Sequence, residues 1–414
     1  MRNLLPSGPL WRHAGFLRLW AAQAVSSLGA RIAREGFSMA AILSIHAAPA
    51  ELGILTALAR GPGVVVGLFA GGMVDRTSRR RVMIASDLAR TALILTVPVA
   101  AWIHLLTMGQ LYAVAALVGA AGVLFDIADH AFLPELIERD FLLDGNAKLS
   151  VTESLAEIGG PALAGTLFQL FTAPFAMLGT AFTYLVSALL LWGVPARALP
   201  PGPSTQKRRW YHDLGDGLRA ILAQPYVRPL FWMTVGSTFF GAFFWPLYLL
   251  YGLKMLGLSP WLMGLTIAMG GVGALTAAGL STRLVRRLGA GATMVGGYFA
   301  YALALALVPL AHGPLWLATA MLMIAQFCGD AFAMAAIVPM TSLRQAMLPR
   351  AMLGRTAAVF GAVTGAMTVT GALTGGFLGE MLGLREVLSI SVTGIVASVS
   401  LLLFSPVRKL REIA

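Results

Sequence analysis

Four carboxylates occur as two close pairs inside stretches that are otherwise almost wholly apolar: Asp126 with Asp129, and Glu153 with Glu157. An ionisable group in such a setting is costly and marks a functional-site candidate by default. Arg31, Arg34 and Glu35 form a third set, sharing one helical face by their i, i+3 and i+4 spacing. Asp330 is the main acid of the second half, with Gln326 one turn before it. At 1.5 Å per helical residue, Asp126 and Asp129 lie roughly 15 and 10 Å from one end of their run, and Glu157 and Glu153 lie at about the same two depths in the next. Each carboxylate therefore has a candidate partner at its own level. Like charges held together resist ionising together, which is the property a proton carrier needs. His130 either shares that proton or is an ordinary helix residue. The acids can instead be structural partners of Arg31, Arg34 or Arg60. Two arginines against one acid on the first face leave a positive excess, which either neutralises Asp126 and Asp129 or attracts an anionic substrate.

Such groups need a scaffold that holds charge in apolar surroundings. The chain has 414 residues, 58% apolar and only 12% charged, where a soluble domain carries roughly 25% charged residues. With 30 basic and 18 acidic side chains, a globule could not cover its surface. A cytosolic enzyme, a disordered chain and a secreted module are thereby excluded, leaving an all-α polytopic membrane protein. Apolar runs near the ~20 residues needed to cross a bilayer are read at 16–45, 52–74, 82–103, 108–133, 146–170, 174–194, 227–253, 260–282, 291–311, 314–340, 354–380 and 384–405. The segment from Met1 to Arg12 has no apolar core ahead of a cleavage site, so the first run reads as a retained span. On this reading 24 of the 30 basic residues fall on one side. Both termini and the 195–226 connection are accordingly expected in the cytoplasm. The net charge of +12 is then topological and does not mark nucleic acid as a partner. The single Cys328 forms no internal disulfide.

The expected organisation is a six-helix bundle over 1–195, a cytoplasmic linker over 196–226 and a second six-helix bundle over 227–414. At and just before the start of the linker, Pro195, Pro200, Pro201 and Pro203, followed by Lys207-Arg208-Arg209, precede a short amphipathic helix at Asp213–Leu222, and the basic cluster reads as a topology signal. The halves are weakly self-similar. At an offset of 208, Gly63 falls on Gly271, Gly71 on Gly279 and Arg79 on Arg287; at 211, Gly160 falls on Gly371 and Gly165 on Gly376. Parallel six-span repeats suit a transporter whose halves rock about a central site.

Between the second and third runs stands Gly71-Gly72-Met73-Val74-Asp75-Arg76-Thr77-Ser78-Arg79-Arg80-Arg81. Its acid, beside four arginines, can lock a helix end to a cation and release it as the halves reorient. This G-x-x-x-D-R-x-x-R-R pattern resembles the signature loop of the major facilitator superfamily, with Ser78 in place of the usual glycine. Phe16 to Gly29, Ala85 to Arg90, Phe132 to Leu136 and Met352 to Arg355 are similar to the branch holding the enterobactin exporter and macrolide-efflux proteins. Against that branch, Ala30 replaces an acid and Asp129 a basic residue. The resemblance implies twelve transmembrane helices in two pseudo-repeats, a bacterial inner-membrane location and a monomer. It makes Gly71, Asp75, Arg76, Arg79 and Arg80 a gating loop, which Asp87 and Arg90 complete from the third span. Gly159-Gly160-Pro161-Ala162-Leu163-Ala164-Gly165 is similar to an exporter motif of the fifth span. It reads equally as a plain packing kink, since proline removes a backbone bond and small residues allow close approach.

Trp232, Trp245, Tyr248 and Tyr251 either line an apolar cavity or form an interfacial belt. The sequence has no phosphate-binding G-x-x-x-x-G-K-[ST] loop, no metal-ligand cluster and no cofactor motif. An ion gradient, with protons as the coupling ion, is the energy source left. The reading is a proton-coupled exporter of an amphipathic drug or siderophore. Its alternatives are an uptake symporter or lysophospholipid flippase and, further off, a receptor or intramembrane enzyme.

Overall fold

The computed structural model describes residues 9–74, 77–195 and 210–412. Asp75, Arg76 and the Lys207-Arg208-Arg209 cluster lie outside the described residues. By internal contacts the chain divides into one unit of Met1–His46 with Leu58–Ser204 and a second of Ala47–Ala57 with Thr205–Ala414.

The first unit is built from α1 (Ala14–Ala40), α2 (Pro49–Val74), whose opening residues group with the second unit, α3 (Arg79–Trp102), α4 (Met108–Leu136), α5 (Leu142–Leu170) and α6 (Ala173–Trp192). Here α1 packs on α5 and α6, while α3 packs on α4 and α6. The second unit begins with α7 (Trp210–Ala223). It continues through α8 (Val227–Leu250), α9 (Pro260–Leu288), α10 (Ala290–Leu305), the one-turn α11 (Leu307–Leu310), α12 (Leu315–Met347), α13 (Leu353–Leu382) and α14 (Leu384–Ser400). There α8 packs on α13 and α14, and α10 packs on α12 and α14. The same pairings thus recur in both units, with α10 and α11 forming one span. The first span of each unit also ends in a single π-helical turn, at Ala41–Ile45 and Tyr251–Met255. This is an all-α polytopic membrane protein of twelve spans in two six-helix pseudo-repeats.

Local chemistry sets the helix starts. His13, Thr107 and Ser259 each accept a bond from a first-turn N–H, and Pro260 follows Ser259 where its missing donor costs nothing. Gly289, at φ 88°, makes the turn from α9 into α10. Among the described residues, nine helices are long and apolar enough by themselves to cross a membrane. The other three spans are α1, α5 and α14. Charges inside α1 and α5 lower their hydropathy, and α14 has only 17 residues. Large apolar side chains such as Val99, Leu117, Leu189 and Leu303 are exposed, as a lipid-facing surface requires.

The glycine repeat has a packing meaning. A Cβ on Gly160 would collide with Arg31 of α1, and one on Gly371 would collide with the Phe239 carbonyl of α8. Arg31 and Phe239 themselves stand 208 residues apart. The fifth span therefore approaches the first through an equivalent glycine in each unit. α5 runs through Pro161 without a break.

Candidate functional site

The charged residues of the first unit gather around α1. Arg31 reaches α5 through Glu157 at 2.6 Å and Glu153 at 3.7 Å. Arg34 binds Glu35 at 3.1 Å and the other oxygen of Glu157 at 3.3 Å. Glu157 thus bridges two guanidiniums. Gly160, one turn beyond it on α5, is what lets Arg31 come close enough. Glu35 is buried, whereas Glu157 is half-buried and Glu153 exposed. Arg60 of α2 lies within electrostatic reach of Arg31, Arg34, Glu35 and Glu157, yet it is exposed and has no ion pair or hydrogen bond among the described residues.

The two aspartates of α4 have a different environment. Asp129 accepts a hydrogen bond from Gln23 of α1. Asp126 is exposed and has neither ion pair nor hydrogen bond among the described residues. The charges around it are Arg90, His130, Glu153 and Arg31, and those around Asp129 are His130, Asp126 and Glu153. The depth matching of acids between α4 and α5 holds only for Glu153, because Glu157 turns to the arginines instead. His130 is exposed.

Asp87 and Arg90 make a separate, buried pair. They bind each other, and Ser26 of α1 joins them with 3.3 Å bonds to both. The Arg90 guanidinium lies between the rings of Phe125 and Tyr184, 4.6 and 4.3 Å from their centroids. Four spans, α1, α3, α4 and α6, are tied together here. The sequence reading grouped this pair with the loop between α2 and α3, but its bonds all run inward to the core of the unit.

The loop arginines have their own partners. Arg79 binds Glu135 and the Ala131 carbonyl near the end of α4. Arg80 donates to the Leu191 and Trp192 carbonyls and Arg18 to that of Gly193, so cations cap the C-terminus of α6. Gly71 falls in the last turn of α2.

In the second unit, Asp330 projects from α12 into the space left by Gly270 of α9, where a Cβ would meet its carboxylate. Gln326 is buried one turn away. The aromatic residues of the seventh span divide: Trp232 and Trp245 are exposed, while Tyr248 and Tyr251 are fully buried. Tyr248 donates to Thr266 at 3.1 Å, and Tyr251 donates to the Ala311 carbonyl at 3.0 Å. The tyrosines are therefore tied into the packing of the unit, apart from the two exposed tryptophans. Beyond the bundle, α7 docks on α13 through ion pairs of Arg355 with Asp213 at 2.8 Å and Asp216 at 3.4 Å. Its apolar side contributes Ile221 to a core with Phe231, Leu348 and Phe360.

Sequence reasoning missed Gln23 and Ser26, which are uncharged and stand in an apolar run. It passed over Glu135 as part of a resemblance motif, and it treated Arg60 only as a candidate structural partner of the acids. The signal for Arg60 was available: it stands 11 residues after the start of its span, and Arg34 stands 11 before the end of the preceding π turn.

Twelve spans in two pseudo-repeats, with most of the described charged side chains within the spans lying in the first unit, are an architecture of the major facilitator type. The family profile described as transmembrane secretion effector matches residues 6–414, and the chain belongs to this family. Its members and structural neighbours are transporters rather than enzymes. Among relatives from Bacillus subtilis (strain 168), the uncharacterized MFS-type transporter YfiS is 26% identical over 220 residues, 52% of each chain. The uncharacterized MFS-type transporter YvqJ is 24% identical over 241 residues, 56% of this chain and 55% of that one. The alignments span about half the length of these curated relatives. In fold, a variant of the nucleoside transporter NupG superposes with a TM-score of 0.76 at 12% identity, covering 94% of this chain and 99% of that one. An inward-facing bacterial homologue of the iron transporter ferroportin gives 0.72 at 16% identity, covering 96% and 99%.

Proposed function

We propose that this chain is a proton-coupled exporter of an amphipathic small molecule, set in a bacterial inner membrane with both termini in the cytoplasm. The observation that carries the reading is Asp126. It lies about 15 Å along α4 from its nearer end, has no ion pair or hydrogen bond among the described residues, and is exposed. A bare carboxylate at that depth is expensive against lipid, so it belongs to the wall of a water-filled passage. Taking up a proton removes the charge that would otherwise have to cross with the moving helix. Asp129, one turn away and held by Gln23, shares that proton. Glu153 and Glu157 are already compensated by arginine, so a proton must compete with a guanidinium for them, and they serve to hold α1 against α5.

The outward direction rests on the family's description as a secretion effector, on the partial exporter motif around Gly160, and on the resemblance to the enterobactin and macrolide-efflux branch. The test is a proteoliposome assay with a panel of dyes, drugs and siderophores under an imposed pH gradient. The reading expects at least one compound to move against the proton flux. If nothing moves and no proton flux appears, the exporter assignment fails for that panel.

A further inference from the structure

The arginines of the first unit are unequally satisfied. Arg31 and Arg34 share Glu157, and Arg34 also holds Glu35. Arg60 has no carboxylate within ion-pair distance among the described residues, is exposed, and carries five N–H donors. It stands about 16 Å along α2 from Pro49, which is the depth of Arg34 measured from the end of its own span. A phospholipid headgroup stays at the membrane surface and does not reach this level. A guanidinium with no ion pair of its own there, whose neighbouring acids Glu35 and Glu157 are already bound by Arg31 and Arg34, is a site prepared for a negative charge that arrives from solution.

The geometry points to Arg60, with Arg34 beside it, as the subsite that receives an anionic oxygen group of the transported amphipathic molecule: a carboxylate, phosphate, sulfonate or ionised catechol. This deepens the transporter reading and rests on it, since it names the charge of the substrate. A guanidinium presents parallel N–H donors that match two oxygens of such a group. The anion and Glu157 then compete for Arg34, while Arg31 keeps Glu157 and so keeps α5 in place. The substrate's apolar body is left to the uncharged walls around this cluster.

The probes are fluorescein, an amphipathic anion at mildly alkaline pH, and a rhodamine ester, a cation on the same ring system. Binding to the full-length protein in nanodiscs is read by fluorescence anisotropy. The wild type is expected to prefer fluorescein, and Arg60→Gln is expected to lower the ratio of fluorescein to rhodamine-ester affinity about tenfold. Arg60→Lys, which keeps the charge but loses the fork, is expected to restore part of that ratio. A variant that merely folds less well loses both dyes alike and leaves the ratio unchanged, and an unchanged ratio overturns the proposal. If the wild type binds the rhodamine ester but not fluorescein, the anion subsite is wrong while the transporter reading stands. If it binds neither, the anion subsite is overturned together with the proposed amphipathic substrate class, while membership of the transporter family stands. If fluorescein affinity in the wild type drops when phosphatidylglycerol replaces phosphatidylcholine, and does not in Arg60→Gln, the anion belongs to the bilayer and the substrate assignment is overturned.

Discussion

Alanine at Gly160 places a methyl group against the root of the Arg31 side chain, with the Arg31 Cγ 3.1 Å from the new Cβ. The colliding atoms are close to the backbone and cannot swing aside, so α5 must retreat from α1. Overpacking of this kind costs about 1–3 kcal/mol. Against it stands the gain of about 1 kcal/mol that alanine has over glycine inside a helix. Gly159 supplies the control, because nothing lies within 4 Å of its Cβ position. Gly159→Ala should therefore gain up to ~1 kcal/mol, while Gly160→Ala falls about 1–3 kcal/mol below its neighbour. At about 2–4 °C per kcal/mol for a unit of this size, the two variants should unfold roughly 2–12 °C apart. Thermal unfolding of the purified protein in detergent measures this directly. In an Arg31→Gly background the gap should close, whereas Arg31→Ala keeps the offending Cβ and should leave most of it. Equal unfolding temperatures for the two alanine variants would refute the claim that Gly160 sets the α1–α5 approach.

Three further outcomes follow. Arg79→Gln and Glu135→Gln should each destabilise the first unit, and the double variant should be no worse than either. A double-mutant cycle is expected to give a coupling of about 0.5–1.5 kcal/mol for this partly exposed pair, and additive effects would contradict the pairing. Arg355→Gln should free α7 from α13, raising its protease sensitivity at a cost of about 1 kcal/mol or less. Asp213→Arg with Arg355→Asp should restore protection, and unchanged cleavage of the single variant would count against the docking. Gly270→Ala should leave stability within about 1 kcal/mol of wild type, because the neighbour is a movable carboxylate. It should nonetheless displace Asp330, and a transport rate insensitive to both Gly270→Ala and Asp330→Asn would remove Asp330 from the site.

Much of the architecture was legible because its signals are local. Apolar runs of bilayer length and glycines repeating at 208 and 211 residues required no knowledge of packing. The residues that matched these offsets, Gly160 and Gly371, do make equivalent approaches. The partners of the charges were harder to read, since helix rotation and depth are decided by neighbours. Depth counting aligned Glu157 with Asp126, but rotation turns Glu157 to Arg31 and Arg34. Spacing along α3 placed Asp87 and Arg90 near the loop, yet their side chains point inward to Ser26, Phe125 and Tyr184. Asp213 and Asp216 are three residues apart on α7 and so share a face, but that spacing does not name Arg355 as their partner.

The central claim is that Asp126, rather than the arginine-bound glutamates, carries the coupling proton. The direct measurement is the ratio of protons to transported dye in proteoliposomes, using a pH indicator and a dye that the wild type moves. The account predicts that Asp126→Asn drives this ratio toward zero, while Glu157→Gln slows transport and keeps the wild-type ratio. A wild-type ratio in Asp126→Asn, or its loss in Glu157→Gln alone, would contradict it.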